Sequence, residues 1–252
     1  METKDAPIRA EYGKAGEKLL GLLNLLGEER TDETDRRIRL FFKAIEAVDR
    51  CHDALQTSEE RKALRRELAT FFEGTTANIP AELIEPLHEL STLINSLGKT
   101  QEFLRCVELI FLKGELLRVQ KDVHDSVTLI LEEGACTAEL LMMTLGTRDP
   151  EFESYMKEIG ALGKLCDDII DLEDDLKTGE RVYDKPYSFY GAALSKAVLN
   201  ALKILWNHPR YARPLFLIQF IPSLLRLIKK KMFTRWGSDI QNLPLYPGGS
   251  QP

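Results

Sequence analysis

One stretch of this chain, from Gly160 to Glu180, places a row of carboxylates inside an otherwise apolar helical pattern. It contains five aspartates within nine residues: Asp167, Asp168, Asp171, Asp174 and Asp175. At about 3.6 residues per turn, Asp167, Asp171 and Asp175 share one helical face. Carboxylates at that spacing repel one another, and burying them without counter-charge is costly. The apolar residues between the aspartates predict a buried helix whose acidic face meets a cation. The alternative interpretation is a solvent-exposed acidic face near the end of a helix.

A second carboxylate pair lies upstream, in the segment FFKAIEAVDRCHDAL. Asp49 and Asp53 are four residues apart, so they share a helical face, and apolar residues flank them. Oxygen ligands suit hard divalent cations, and Mg²⁺ characteristically takes one or two carboxylates together with phosphate oxygens of a substrate. Two helices that each present inward carboxylates can therefore hold Mg²⁺ between them. Placed at opposite walls of an apolar all-α cavity, they describe a site for an apolar chain that ends in a diphosphate.

Helical periodicity extends over almost the whole sequence, and strand-like alternation is nearly absent. The pattern predicts one all-α domain over residues 1–252, with roughly ten helices and loose tails at 1–10 and 237–252. The expected helices are 12–27, 35–55, 58–74 with Ser58 as N-cap, 80–97, 99–145 with an interruption at 122–126, 151–176, 192–206 and 212–234. Residues 181–191, which include Pro186, are expected to form a loop. The glycines of GALGKL are expected to permit close helix packing.

Composition and charge exclude several functional classes. A net charge of −6 leaves no basic excess to neutralise phosphates, which argues against nucleic-acid binding. The four cysteines occur singly, at positions 51, 106, 136 and 166, so they predict buried thiols in a reducing compartment. The N-terminus lacks the apolar core of a secretory signal, and no run of eighteen apolar residues is present. These features favour a cytoplasmic protein. No nucleophilic-serine signature, phosphate-binding glycine loop or zinc spacing occurs.

The segment EEGACTAELLMMTLGTRDPEFESYMKEIGALGKLCDDIIDLEDDLKTGERVY, residues 133–183, resembles the squalene/phytoene synthase family of class I isoprenoid synthases. The family's second aspartate-rich motif is matched by Asp167, Asp171 and Asp175, and the residues that follow it are matched by Gly179, Arg181, Val182 and Tyr183. The run DDIID also satisfies the D-D-x-x-D pattern of linear prenyl diphosphate synthases, which share the fold, and that pattern adds Asp168 as a metal ligand.

The resemblance extends upstream to about residue 35. Asp49 and Asp53 match the family's first D-x-x-x-D motif, and Arg36 lies near the position of an arginine that faces the diphosphate. The chain departs from the family pattern at four positions: Glu46 stands near a usual arginine, Arg50 and His52 lie inside the first motif, and Phe42 replaces a tyrosine. These departures bear on the substrate and on activity.

The resemblance implies a single-domain helical bundle of the class I isoprenoid synthase type around a central cavity. It implies a prenyltransferase or terpene synthase that condenses two prenyl diphosphates, C15–C20 in length, or cyclises one. Three Mg²⁺ ions would bridge the substrate diphosphate to Asp49, Asp53, Asp167, Asp168, Asp171 and Asp175. Substrate binding would involve Arg36, Arg181, Tyr183 and Phe42, with Arg37 and Lys99 as further donors. Aromatic faces such as Phe41, Phe42 and Phe103 would stabilise a carbocation.

Three alternatives remain open from the sequence. A catalytically inert helical partner or regulatory protein could retain the same fold. An HD-type metal phosphohydrolase would use residues that occur in the required order: His88, His124, Asp125 and Asp168. The C-terminal residues 212–236 join apolar and basic side chains, which is typical of peripheral membrane contact and equally of a terminal helix packed on the core.

Overall fold

The structure, a computed structural model, describes residues 31–211 with gaps at 56, 76, 147–148, 179–180, 182 and 184–185, together with Leu19 and Leu23. All regular secondary structure in these residues is helical, which confirms the all-α prediction. The seven long helices are α1 (Asp32–Asp53), α2 (Ser58–Phe72), α3 (Ala81–Ser96), α4 (Thr100–Val119), α5 (Val123–Leu145), α6 (Pro150–Thr178) and α7 (Pro186–Asn207). The predicted tails and the predicted helix 212–234 lie outside the described residues. So does the predicted helix 12–27, apart from Leu19 and Leu23, which are helical and buried.

Side-chain caps define the starts of several helices. Thr31 accepts a hydrogen bond from the Thr34 amide and caps α1. At α2 the N-cap is Thr57, which forms a reciprocal capping box with Glu60, so the prediction of Ser58 as the N-cap is wrong by one residue. Asp122 accepts from two backbone amides at the start of α5, which accounts for the predicted interruption of the long helical pattern.

The predicted loop at 181–191 is wrong in its second half, because α7 begins at Pro186. In the interior of a helix a proline removes a hydrogen bond and kinks or breaks the helix, but at the first turn its fixed φ favours helix and its missing N–H leaves no bond unmade. The connection between α6 and α7 is therefore short. It holds Arg181 and Tyr183 close to the end of α6.

Helices α5 and α6 pack more extensively than any other pair of described helices, and two glycines form their crossing. A β-carbon built on Gly134 of α5 would lie 2.5 Å from the Gly160 carbonyl oxygen of α6. A β-carbon on Gly160 would lie 2.5 Å from the β-carbon of Ala138. The prediction that the GALGKL glycines permit close packing is therefore confirmed for Gly160, whereas nothing lies within 4 Å of a β-carbon at Gly163.

The buried apolar side chains form one continuous cluster to which all seven helices contribute. The four cysteines are free thiols; Cys51 and Cys106 are buried as predicted, and Cys136 and Cys166 are partly buried. In the described part of the chain, no helix combines the length and the apolarity that crossing a bilayer requires.

Candidate functional site

A cavity of about 400 Å³ lies between helices α1 to α6. Its wall is mostly apolar, and each of the six helices contributes to it. The polar residues of the wall are Asp49, His52, Glu133, Thr137, Lys164 and Asp167. A largely apolar cavity with a few convergent polar groups is the usual form of a small-molecule site.

Helix α1 supplies one full face of this cavity, and the polarity of that face changes along its length. The contributing positions are Phe41, Ala44, Ile45, Val48, Asp49 and His52, which follow helical i, i+3, i+4 spacing. The first four are apolar and the last two are polar. Asp49 lies eight residues beyond Phe41, or about 12 Å at 1.5 Å per residue. The cavity therefore has an apolar part near Phe41 and a polar part near Asp49.

Aromatic side chains line the apolar part of the cavity. Phe41, Phe72 and Phe103 are all nearly inaccessible to solvent, and they come from α1, α2 and α4. The rings of Phe72 and Phe103 lie 5.0 Å apart between centroids, at an angle of 31°. Packed aromatic rings resist displacement, so this part of the cavity has a fixed boundary.

The polar part is formed across the close crossing of α5 and α6. A β-carbon on Gly134 would come within 2.7 Å of the Lys164 β-carbon, so the missing side chain brings Glu133 and Lys164 together at the wall. Burial raises the pKa of Glu133, with a smaller upward effect from Asp168 and Asp49, whereas Lys164 and Arg181 lower it. Asp49 of α1, Glu133 of α5 and Lys164 of α6 line the same cavity, so charged groups of three helices face one space.

Asp168 lies beside the cavity in a buried ion cluster. Its Oδ1 is 2.9 Å from Lys164 Nζ, and its Oδ2 accepts a hydrogen bond of 2.9 Å from Arg181 Nη2. Burial acts to raise the pKa of Asp168, but the two cations outweigh it and hold the pKa below its usual value. Both carboxylate oxygens are thus engaged by cations. This arrangement argues against the predicted role of Asp168 as a metal ligand.

The predicted aspartates divide into several groups in the structure. Asp49 of the first motif and Asp167 of the second line the same cavity, as the metal-site prediction requires. Asp171 is exposed and Asp175 is partly buried, and neither is among the residues that line the cavity. Asp53 is the last residue of α1, and its side chain lies outside those described.

Of the four predicted substrate-binding residues, Arg181 alone lies in the ion cluster beside the cavity. Arg36 is exposed and donates to Glu33 at 2.9 and 3.0 Å, about 20 Å along α1 from Asp49. Phe42 packs edge-on against Phe41, and the cavity is lined by Phe41 instead. The structure therefore does not bring Arg36 or Phe42 to the site.

The remaining predicted contacts lie away from the cavity wall. Tyr183 is buried and stacks on Phe189 with 5.0 Å between ring centroids. Arg37 donates to the Leu145 carbonyl at 3.0 Å. Lys99 is exposed, with its Nζ 3.6 Å from Glu102.

Sequence reasoning missed Glu133 and Lys164 as site residues and did not assign His52 to the predicted site. Burial lowers the pKa of His52, and Arg118 and Arg61 act in the same direction, which favours the neutral imidazole. Its ring lies 5.4 Å from that of Phe111. The sequence offered one signal for each residue. Glu133 directly precedes a glycine in a helical pattern, and Lys164 is a charged residue within an apolar helical pattern.

The four residues of the phosphohydrolase hypothesis do not form a metal site. His88, His124 and Asp125 are exposed, whereas Asp168 is buried in the ion cluster. Within the described residues, no three side chains of His, Cys, Asp or Glu converge as a metal-binding group. Mg²⁺ uses only one or two carboxylates when substrate phosphates supply further ligands, and the cavity wall carries the carboxylates of Asp49, Glu133 and Asp167.

Comparisons of the chain with protein-family models, with curated proteins and with solved structures find no match. Function is therefore inferred from the residues of this chain.

Proposed function

We propose that this protein is an Mg²⁺-dependent isoprenoid synthase that ionises a prenyl diphosphate. The observation that carries the proposal is the position of Asp49 and Asp167, which come from different helices and line one apolar cavity. The resemblance of residues 133–183 to squalene/phytoene synthases supports the same reaction class. An apolar chain with a charged head fits a cavity that is apolar over most of its wall and polar in one part.

Each part of the cavity has a role in this reaction. The apolar wall would bind the prenyl chain, and the carboxylates of Asp49 and Asp167 would hold Mg²⁺. Mg²⁺, when bound, supplies Lewis-acid neutralisation of the charge that develops on the leaving diphosphate. Lys164 lies on the wall beside them, and its pKa is raised by Asp168 and Glu133 against the lowering effect of burial, so its ammonium stays charged. That ammonium and the Arg181 guanidinium favour an anion at this position.

The apolar part of the cavity suits the cationic intermediate. When the carbon–oxygen bond of the substrate breaks, its electron pair leaves with the diphosphate and an allylic carbocation remains. Apolar walls exclude water, which would otherwise capture the cation as an alcohol. Phe111 borders the cavity with its ring 5.4 Å from that of His52, in the polar part of the wall, where its ring electrons would stabilise positive charge.

The size of the cavity supports one prenyl chain in preference to two. Its volume of about 400 Å³ lies near the lower limit of ligand cavities, which span roughly 300–1,000 Å³. Cyclisation or rearrangement of a single C15 diphosphate is therefore favoured over head-to-head condensation of two chains.

The exposed position of Arg36 favours the second candidate, a helical partner protein without catalytic activity, because an expected diphosphate donor lies away from the cavity.

Diphosphate release tests the proposal. Purified protein would be incubated with Mg²⁺ and geranyl, farnesyl or geranylgeranyl diphosphate, with released diphosphate measured and the organic products identified. We expect Mg²⁺-dependent release that Asp49→Asn and Asp167→Asn each reduce about 100-fold or more. Asp125→Asn, at an exposed position on α5, is the matched control and should leave the rate unchanged.

Two results would decide against this assignment. If folded protein releases no diphosphate from any C10–C20 substrate, the enzyme proposal fails and the inert partner is favoured. If release occurs but Asp167→Asn retains the full rate, the assignment of Asp167 to the metal is wrong.

A further inference from the structure

Helix α7 presents large apolar side chains to solvent. Trp206 is 87% exposed, Leu199 62%, Leu202 57% and Val198 44%. They account for four of the nine large hydrophobic side chains that are exposed in the described residues, although α7 is only 22 residues long. Such a concentration on one helix differs from the scattered apolar residues of an ordinary surface.

These four side chains form a continuous face. With about 100° of rotation per residue, positions 198, 199, 202 and 206 fall within an arc of about 100°. The opposite side of α7 is packed into the core through five buried residues: Phe189, Ala193, Ala197, Ala201 and Ile204. The exposed apolar face is therefore distinct from the face that holds α7 in the bundle.

Basic residues flank this apolar face. Lys196 and Lys203 lie on one side of the arc, at about 160° and 140° on the same scale, and both are exposed. Lys203 Nζ is 2.9 Å from Glu158 Oε1, and Lys203 itself remains 61% exposed. Arg210 is exposed just beyond the helix, with its guanidinium carbon 5.4 Å from the centre of the Tyr211 ring.

The charge of α7 is opposite to that of the chain as a whole. The protein has a net charge of −6, yet no acidic residue occurs among the 54 residues between Asp184 and Asp239, which include ten Lys and Arg. Helix α7 itself contains two lysines and no acid. The exposed side chains of Lys196, Lys203 and Arg210 therefore attract an anionic partner to α7, whereas the net charge of the whole chain repels one.

We propose that the exposed face of α7 docks onto an anionic lipid bilayer. An apolar stripe that contains Trp and has lysines along one side is the composition of a helix that lies in the plane of a membrane interface. Anionic headgroups complement Lys196, Lys203 and Arg210, while Trp206, Leu199 and Leu202 enter the boundary with the acyl chains. A second copy of the chain suits this face less, because an antiparallel isologous pairing of α7 would set the lysines of the two copies side by side. The inference does not depend on the proposed catalytic function.

Vesicle flotation of the full chain, without substrate, tests this surface. We expect binding to vesicles of phosphatidylcholine with 30% phosphatidylglycerol, weaker binding as salt increases, and little binding to phosphatidylcholine alone. Trp206→Glu and Leu202→Glu should each lower the partition coefficient about tenfold or more, and Lys196→Glu about fivefold. In a Trp236→Phe background the emission of Trp206 should shift to shorter wavelength on binding.

Val119→Glu is the matched control, because Val119 is 71% exposed at the end of α4 and lies off this face. It should bind vesicles as the wild type does. The proposal fails if the wild type binds no anionic vesicles. It also fails if binding persists unchanged in both Trp206→Glu and Leu202→Glu, which would place the contact elsewhere in the chain. A wild-type dimer that these substitutions dissociate, in protein that binds no vesicles, would identify a second copy as the occupant instead.

Discussion

Gly134 of α5 and Gly160 of α6 meet backbone to backbone, and a β-carbon on Gly134 would lie 2.5 Å from the Gly160 carbonyl oxygen. No side chain fits at that separation, so the two helices approach more closely here than ordinary side chains allow. The contact fixes the positions of Glu133 and Lys164, which lie beside these glycines on the cavity wall.

Gly134→Ala should destabilise the protein. The added methyl group gains up to about 1 kcal/mol in helix propensity, but overpacking against backbone costs about 1–3 kcal/mol. Urea unfolding should show a lower free energy of unfolding for this variant. Gly163 also lies on α6, but a β-carbon there would meet open space. Gly163→Ala should therefore raise the free energy of unfolding by about 0.5–1 kcal/mol. Equal effects of the two substitutions would contradict the close crossing.

Asp168→Asn should cost about 3–5 kcal/mol of unfolding free energy at pH 7, because it leaves Lys164 and Arg181 buried without their anion. The pKa of Asp168 is lowered in the folded state, so its contribution is complete above the usual carboxyl pKa of about 3.9 and is lost as pH falls through the lowered value. Unfolding at a series of pH values should show the wild-type advantage shrinking below about pH 4. An advantage that stays constant down to pH 2 would mean that the ionised form of Asp168 is not the source of the stability. Asp125→Asn, which is exposed, serves as the control.

Phe103→Leu should change the preference for chain length under the proposed function. Phe103 and Phe72 bound the apolar part of the cavity, and a smaller side chain there leaves room for a longer prenyl tail. The ratio of kcat/KM for geranylgeranyl over farnesyl diphosphate should rise about tenfold or more. Val119→Leu, at an exposed position that is not part of the cavity wall, should leave the ratio as in the wild type. If Phe103→Leu is active with an unaltered ratio, Phe103 does not limit the substrate.

Thr57→Ala should remove about 1 kcal/mol of stability by breaking the capping box with Glu60 at the start of α2. Thermal unfolding would measure the loss as a lower Tm. Thr128→Ala, whose hydroxyl donates only to the His124 carbonyl within α5, should change stability by less than about 0.5 kcal/mol. Comparable losses from both threonines would argue against a specific role for the cap.

The sequence was sufficient to predict the fold class and most helix bounds, because those depend on local periodicity and caps. Helix α3 was expected to end near Gly98, and it does so with Gly98 at a φ of +67°. The expected loop at 181–191 failed because Pro186 is compatible with both a loop and a helix start. Tertiary contacts, and not the local sequence, decide whether a loop or a helix start forms there.

The candidate site was predictable in part. Asp49 and Asp167 could be found from their spacing, but which acids of the row face the cavity depends on the rotation of α6 against α5. That rotation is set by the Gly134–Gly160 contact, and it leaves Asp171 exposed and Asp168 between two cations. Glu133 and Lys164 lie 31 residues apart in sequence. No local pattern indicates that they line the same cavity.

The cavity that helices α1 to α6 enclose has a practical consequence for the purified protein. Any single-chain amphiphile with a charged head, such as a fatty acid or a detergent monomer, has the same distribution of polarity as the cavity wall. Host lipids taken up during expression would compete with an added substrate and lower the measured turnover. Delipidation before assay, with the extract analysed by mass spectrometry, would recover the activity and would also show what the cavity selects from a cell.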